Sequence, residues 1–406
     1  MANTLLTPTA VTREGLRVLH QKLNFVGTIN RSYDDRFAKS GAKIGDSLSI
    51  RLPNQYSVRT GAALSSQDVA ERSVTLQVAS QAGVDTTFTS DDLSLDIDDF
   101  SERILNPAMA VLAAHIESDA LSMYKDVYNH VTDSGATITK SDVLESGKVL
   151  TDNLSPYDSR NLLLNTKDNV DLVSDLSGLF NDQSKVASNY REGRVASNTF
   201  GFQNIMETSL APSHLGGADD GTGDHLVNDA GTIAEGVAQL TVDTGSATLL
   251  KGDIFTLDGV NRVHPESKVD TGVLQKFVVS ADMAGDGTVL TFQPPLRAAG
   301  ALKNITAMPG NNAPIRKRES DDSTAIGASQ TLSTSLAYHK DAFAFATADL
   351  VLPTGVDFAA REVMDGISMR IVRDYSISAD TFITRLDVLY GFSTIRPELA
   401  CRLHMN

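Results

Sequence analysis

Between residues 217 and 334 the chain changes texture, and this change constrains its fold more than any other feature. Short apolar runs, Gln239-Leu-Thr-Val242, Asp253-Ile-Phe-Thr-Leu257, Val273 to Ser280 and Thr288-Val-Leu-Thr-Phe292, are separated by turn formers. Those separators are Gly245, Gly252, Asp258-Gly259, Gly272, Gly285-Asp-Gly287 and Pro294-Pro295. Strands this short, punctuated by glycine and aspartate, describe an all-β module. Helical and strand signals mix on both sides of it, so the chain as a whole reads as α+β. Its 406 residues suffice for two or three cores, since a domain usually holds about 100–200 residues.

The longest helical signal precedes that module. Leu105, Met109, Leu112, Ile116, Ala120, Met123 and Val127 step by four and three, predicting a helix of about six turns with one buried face. Pro107 is tolerated if the first turn begins near Asn106. An acidic run, Asp91, Asp92, Asp96, Asp98, Asp99 and Glu102, leads into it. Carboxylates before a helix N-terminus stabilise it by about 0.3–1 kcal/mol each, which is reason enough for their presence. A sharper expectation is that they meet Arg59 or Arg72 of another subunit.

Nearer the N-terminus, Leu16, Leu19, Leu23 and Val26 form a second stripe on a short helix within residues 11–30. Such a stripe packs either on the chain's own core or on a neighbour, and periodicity does not separate the two. Two strands follow, alternating Leu48, Ile50, Leu52 and Val74, Leu76, Val78. Between them Pro53 to Ser73 is polar and carries Arg59, Gly61 and Arg72. A loop of this length without its own core is uncommon inside a compact domain and is usually functional or disordered. Residues 135–215 alternate helix and strand signals, with a strand at Asn161-Leu-Leu-Leu-Asn-Thr166, a helix near Val170 to Phe180, and a break at Pro212 and Gly216-Gly217.

Chemistry is scarce. None of the eight histidines pairs at metal-binding helix spacing, and Cys401 with His404 lacks the partner cysteines of a zinc site. Asp219-Asp-Gly-Thr-Gly-Asp224 lacks the closing glutamate of a calcium loop and the Gly-Lys-Ser/Thr end of a phosphate loop, so it reads as a solvated turn. No Gly-x-Ser-x-Gly elbow occurs. His339 and Asp341, two apart on an expected helix, would point to different faces. The expectation is therefore no enzyme: no catalytic residue, no metal, no cofactor. A net charge of −16 argues against gripping nucleic acid, which needs clustered Lys and Arg. The single cysteine excludes an internal disulfide and fits a reducing compartment. No run of about 18 apolar residues is present, and Met1-Ala-Asn-Thr-Leu-Leu-Thr-Pro8 lacks the layout of a secretory signal, so no membrane partner is expected.

The C-terminal forty residues carry the most specific pattern. Leu386, Val388 and Tyr390 alternate with Arg385 and Asp387, a half-buried strand expected to stop at Gly391. Asp374-Tyr375, Arg385-Leu-Asp-Val-Leu-Tyr-Gly391 and Arg396-Pro-Glu-Leu-Ala400 follow in order. This series resembles the C-terminus of tailed-phage major coat proteins of the P22 type. Leu336-Ala-Tyr-His-Lys-Asp-Ala-Phe-Ala-Phe-Ala346 looks like that family's return segment behind an inserted domain. Gly45-Asp-Ser-Leu-Ser-Ile-Arg-Leu-Pro53 with Ser57-Val-Arg-Thr-Gly61 looks like the stem of its extended loop, and Tyr190-Arg-Glu-Gly-Arg-Val195 with Thr199-Phe-Gly-Phe202 is similar to its central domain. The likeness is most marked over 336–403 and weakest in the β module.

The resemblance implies the Hong Kong 97 capsid fold with an inserted all-β domain. Its parts would be an N-terminal arm (1–35), an extended loop and its stem (36–90), a spine helix and peripheral domain (91–134), and an axial domain in two pieces (135–216 and 335–369). The inserted domain would span 217–334, and the C-terminal strands of the peripheral domain 370–406. It implies a major capsid protein of a bacterial virus, assembling in the host cytoplasm as hexamers and pentamers. The icosahedral shell would enclose double-stranded DNA without sequence-specific binding, through a scaffolded procapsid that expands. Partners would be the chain itself, a scaffolding protein, a portal protein and, in some shells, a decoration protein. The subunit-interface candidates are Leu16, Leu19, Leu23, Arg59, Arg72, Asp98, Asp99 and Glu102. A phage tail part or other binding module with a β-domain is the alternative.

Overall fold

The computed structural model describes residues 8–32, 45–59, 61–64, 66, 71–88, 106–132, 137–176, 195, 198–217, 225–229, 233–317, 331–364, 367–377 and 381–405. They fall into two compact units. The first draws on Met1–Arg51, Ser73–Leu121 and Phe343–Ile395, the second on Leu52–Arg72, Ser122–Ala342 and Arg396–Asn406.

In the first unit, β1 (Asp46–Arg51) pairs antiparallel with β2 (Ser73–Val78), Leu48 opposite Leu76 and Ile50 opposite Val74. The alternation read from the sequence is thus the face that β1 and β2 share. The main sheet is built on β18 (Thr381–Thr394), which pairs with β3 (Ser80–Phe88), β15 (Phe343–Ala348) and β17 (Ile367–Ser376). Strand β16 (Phe358–Met364) then pairs with β17. Leu386, Val388 and Tyr390 are buried as their alternation predicts.

Two expectations for β18 are corrected. Gly391 does not end the strand, which runs on to Thr394. It is glycine because a Cβ there would stand 2.0 Å from the Gln77 carbonyl oxygen and 2.8 Å from the Val78 Cα, inside contact distance of β2. Asp387, expected on the solvent face, is fully buried. Its carboxylate accepts from Arg370 Nη2 at 2.6 Å and Arg385 Nε at 2.7 Å, and two guanidiniums offset the cost of burying one charge.

Helix α1 (Pro8–Lys22) and the single turn α2 (Phe25–Thr28) carry the N-terminal stripe. Leu16, Leu19, Leu23 and Val26 are all buried, in a unit where α1 packs on β16, on β17 and on α3 (Asn106–Leu121). Pro107 occupies the first turn of α3, where its missing N–H costs nothing. Met109, Leu112, Ile116 and Ala120 are buried as expected. The α-helix itself is shorter than the stripe: it ends at Leu121, and residues Ser122–Asp126 tighten into a 3-10 turn. Met123 and Val127 are buried there, within the second unit.

The second unit holds a sheet in the order β4 (His130–Thr132), β19 (Ala400–Met405), β14 (Thr331–His339), β5 (Arg160–Asn165), β6 (Asn204–Thr208), with β7 (Ser213–Leu215) also on β14. Helices α4 (Lys140–Asp152) and α5 (Thr166–Leu176) cover it, and Val143, Leu150, Leu162, Leu164, Leu172 and Leu403 share their core. Thr139 and Asp142 close a capping box at the start of α4, with the Thr139 N–H donated to Asp142 at 2.7 Å. The stretch expected to place His339 and Asp341 on a helix is instead strand β14 and a 3-10 turn (Lys340–Ala342). The Asp341 N–H donates to His339 Nδ1 at 3.2 Å, so these two residues do meet. β-Branched and aromatic residues on either side of the turn favour strand over helix.

The β module is a closed barrel: β10 (Ile254–Val263), β11 (Asp270–Val279), β12 (Val289–Gln293), β9 (Gln239–Asp243), β8 (His225–Val227) and β13 (Pro314–Lys317), the last returning to β10. Closure leaves no unpaired sheet edge, which suits a module of short strands. Phe255, Phe277 and Phe292 fill it with ring centroids 5.4 to 5.7 Å apart. The C-terminal segment is divided: residues 370–395 belong to the first unit, and 396–406 contribute β19 to the second.

Candidate functional site

Residues 52–72 join β1 to β2, and their stem is closed where the Leu52 N–H donates to the Arg72 carbonyl at 2.8 Å. Tyr56, Val58 and Leu64 are 61%, 91% and 89% exposed. Single exposed apolar residues are ordinary, and here three share one long loop. Arg59 is exposed and spends its guanidinium on the loop itself, donating to the carbonyls of Gly61 and of Ala63, the latter at 2.8 Å. It shapes the turn while keeping its charge at the surface. Arg72 is half-buried, and its Nε finds no acceptor. Gln55 meets Lys268 of the barrel, Nζ to Oε1 at 3.4 Å.

The other interface candidates fare differently. Leu16, Leu19 and Leu23 are 1%, 0% and 6% exposed, so their side chains are used by the chain's own core. Asp98, Asp99 and Glu102 lie outside the described residues.

Two buried polar constellations were not legible in the sequence. One is Glu117 of α3, only 4% exposed, whose carboxylate accepts the N–H groups of Phe25 at 3.1 Å and Val26 at 3.3 Å. It caps α2 from 92 residues away, a role usually taken by a local Ser, Thr, Asp or Asn. Burial pushes its carboxyl up to about 7, against the downward pull of the Val26, Phe25 and Asn24 N–H groups.

The second joins the barrel to the sheet. Tyr124 Oη lies 3.2 Å from His214 Nδ1, and His214 Nε2 lies 2.8 Å from Asp253 Oδ1. Asp253 Oδ2 accepts the N–H groups of Leu250 at 2.9 Å and Gly217 at 3.0 Å, with Lys317 Nζ at 3.5 Å. Arg402 of β19 donates to the Gly252 carbonyl at 2.9 Å. Burial alone would raise the Asp253 carboxyl, but His214, Lys317 and the two N–H groups hold it at about 2. Nε2–H donates to the carboxylate, and Nδ1 faces the tyrosine hydroxyl. A Tyr-His-Asp series suggests acid–base chemistry, yet the His214 and Asp253 side chains are 4% and 0% exposed, out of reach of a substrate. Its chemistry is that of a joint. The strands it links are scattered along the chain, so no local motif announces it.

Among the described residues no three His, Cys, Asp or Glu side chains gather as a metal site. Among the described residues, too, no helix is long and apolar enough to cross a membrane.

A family model described as "P22 coat protein - gene protein 5" matches residues 21–403. No curated protein sequence matches at a significant level. Among solved structures, one from Mycobacterium phage Che8 is 11% identical, covers 94% of this chain and 90% of its own, and superposes with a TM-score of 0.46. The capsid of cyanophage P-SCSP1u is 11% identical over 90% of this chain and 85% of its own, TM-score 0.44. The CUS-3 coat protein I-domain is 29% identical over 25% of this chain and 94% of its own, TM-score 0.17. The family match spans nearly the whole chain, from within α1 to β19, and on that ground the protein belongs to the P22 coat protein family, its α+β architecture being the Hong Kong 97 capsid fold.

Proposed function

We propose that this chain is the major subunit of an icosahedral phage shell that encloses double-stranded DNA and is built by association of many copies. The observation that carries the reading beyond family membership is the loop 52–72, which presents Tyr56, Val58 and Leu64 to solvent. Burying one such side chain contributes about 1.5–3 kcal/mol, so one loop per subunit gives a modest contact that a shell multiplies. Weak contacts repeated many times are what a shell that must form and rearrange requires.

Several finer points belong to the same proposal. Hexamers and pentamers form on a scaffolding protein, a portal admits the genome, and the shell expands without covalent crosslinks; a decoration protein is compatible with such a shell. Assembly takes place in the bacterial host's cytoplasm. Arg59 and Arg72 face the acidic run ending in Asp98, Asp99 and Glu102 of an adjacent subunit, supported by their opposite charge and by the surface placement of Arg59. The barrel, as residues 217–334, acts as an inserted domain that steadies the subunit.

Sedimentation and negative-stain electron microscopy of the expressed protein, alone and with the neighbouring phage gene products, test the proposal. Closed shells of uniform diameter are expected. A stable monomer or small ring under every condition would overturn it and favour a tail part. For the charge pairing, reversal of Arg59 should impair assembly and reversal of Asp98, Asp99 or Glu102 should restore it. Additive losses in that double-mutant cycle would reject the pairing.

A further inference from the structure

The turn that follows β9, residues 244–248, is built around the imidazole of His225. This residue opens β8 and is 2% exposed. Its Nδ1 lies 2.9 Å from the Thr244 carbonyl oxygen, and its Nε2 lies 2.7 Å from the Ala247 carbonyl oxygen. Carbonyl oxygens only accept hydrogen bonds, and a neutral imidazole has one N–H to give. With a single ring proton, one nitrogen lone pair would stand against an oxygen lone pair at hydrogen-bond distance. With two, both contacts are hydrogen bonds, and the charge strengthens them. His264 shows the opposite arrangement, its Nδ1 accepting the N–H groups of Glu266 at 3.3 Å and Ser267 at 3.2 Å.

The turn is held in a costly shape. Thr244, a β-branched residue, has φ +53°, in the left-handed region, and Gly245 follows at φ +77°. A Cβ on Gly285 would stand 2.1 Å from the Ser246 carbonyl oxygen, and one on Gly217 would stand 1.8 Å from that of Thr248. Packing this close leaves the turn little room to shift. Neither contact of the ring nitrogens is with a carboxylate. The charged groups on the elements around the ring are Asp243 of β9, opposite Leu226, and Arg316 and Lys317 of β13, next to Ile315, which pairs with His225. Arg316 is held by Asp258, and Lys317 lies 3.5 Å from Asp253, which accepts the Leu250 N–H just beyond the turn. Asp286 adjoins Gly285, and Asp219, Asp220 and Asp224 precede His225 in sequence, outside the described residues.

We propose that His225 is a proton-operated clasp: doubly protonated, it holds the Thr244 and Ala247 carbonyls, and loss of one proton to water releases the turn where β8 and β9 meet. The abandoned carbonyl then faces a ring lone pair. Relaxation of the Thr244 backbone relieves both that contact and the strain. The ligand of this site is a proton, and what it selects is the conformation of residues 244–248. The clasp lies wholly within the barrel and does not depend on the shell reading.

The experiment is 15N NMR of the unassembled full chain with its histidine rings labelled. Near neutral pH, two proton-bearing ring nitrogens are expected for His225 and one for His264. As pH is raised, the His225 ring should lose one proton, and the amide 15N signals of Gly245 and Thr248, whose peptide groups contain the two carbonyls, should shift with the same midpoint. His225→Gln, which donates without titrating, should remove that midpoint from both amides, and it assigns the ring signals. If that variant does not fold, Thr244→Gly, which takes a positive φ without strain, displaces the His225 ring signals and assigns them instead. A single proton-bearing nitrogen on His225 near neutral pH would overturn the clasp. So would shifts of Gly245 and Thr248 at a midpoint unrelated to the ring, or a ring that keeps both protons until the chain unfolds.

Discussion

The carboxylate of Glu117, in the middle of α3, receives the backbone N–H of Phe25 at 3.1 Å, so the long helix and the N-terminal segment share a buried ionisable cap. Phe25 is itself fixed by an edge-to-face contact with Phe343 of β15, ring centroids 5.5 Å apart. Burial and backbone N–H dipoles set the ionisation of the cap.

Its pH dependence follows. A carboxyl raised from 4.5 to about 7 by burial favours the folded state while protonated, so its contribution is complete below about pH 4.5 and is lost as pH rises through 7. The shift corresponds to about 3 kcal/mol at most. The thermal midpoint of the unassembled chain should fall between pH 5 and 8. Glu117→Gln should flatten that profile; an unchanged slope would show that another group sets it.

Gly391 tests the packing of β18 on β2. Gly391→Ala places a methyl 2.0 Å from the Gln77 carbonyl oxygen, a backbone atom that cannot rotate away. Overpacking of this kind costs about 1–3 kcal/mol, sometimes more. A lower denaturant midpoint with an unchanged slope is the expected result in chemical unfolding.

Asp253 tests the joint. Asp253→Ala leaves His214, Lys317 and the N–H groups of Leu250 and Gly217 without their shared acceptor. Removing one partner of a buried ionic network costs about 3–5 kcal/mol. Because the Asp253 carboxyl is held at about 2, the joint's contribution is present above pH 3.8 and is lost as pH falls through 2. Circular dichroism melts between pH 2 and 7 should therefore converge for wild type and Asp253→Ala at the acid end.

The barrel should fold by itself. Its strands close on one another, and its core is made by its own Phe255, Phe277, Phe292, Leu257 and Leu290. Residues 217–334 expressed alone should unfold in one cooperative transition. Deletion of residues 217–330, which keeps β14 whole, is geometrically feasible, because Leu215 of β7 pairs with Thr331 of β14 and a short linker spans the gap. That deletion removes Asp253 and Lys317 from the joint, so Tyr124 and His214 should become exposed and the remaining chain less stable, measurable by thermal melting.

Much of the fold was legible along the chain as local periodicity. The stripe through Met109, Leu112, Ile116 and Ala120, the pairing faces of β1 and β2, and the burial of Leu386, Val388 and Tyr390 follow from side-chain spacing, and four of the six barrel strands, β9 to β12, from apolar runs between turn formers; the short β8 and β13 carry no such signal. The ordered C-terminal motifs gave the family. Where spacing misled, a tertiary neighbour explains it. Gly391 reads as a strand end until β2 is seen against it, and Asp387 reads as a solvent residue until Arg370 and Arg385 enclose it. The leucine stripe at 16, 19 and 23 was compatible with two destinations, and only packing of α1 on α3, β16 and β17 chose the chain's own core.

The polar sites belong wholly to tertiary structure. Glu117 lies 91 and 92 residues from the amides it caps, Tyr124 and His214 are 90 apart, and His214 and Asp253 are 39 apart. A periodic pattern records which face of an element is buried, but it does not record which distant donor meets which acceptor. That choice is made when burial removes water as the alternative partner and each remaining polar group must be satisfied by whatever the fold has brought beside it.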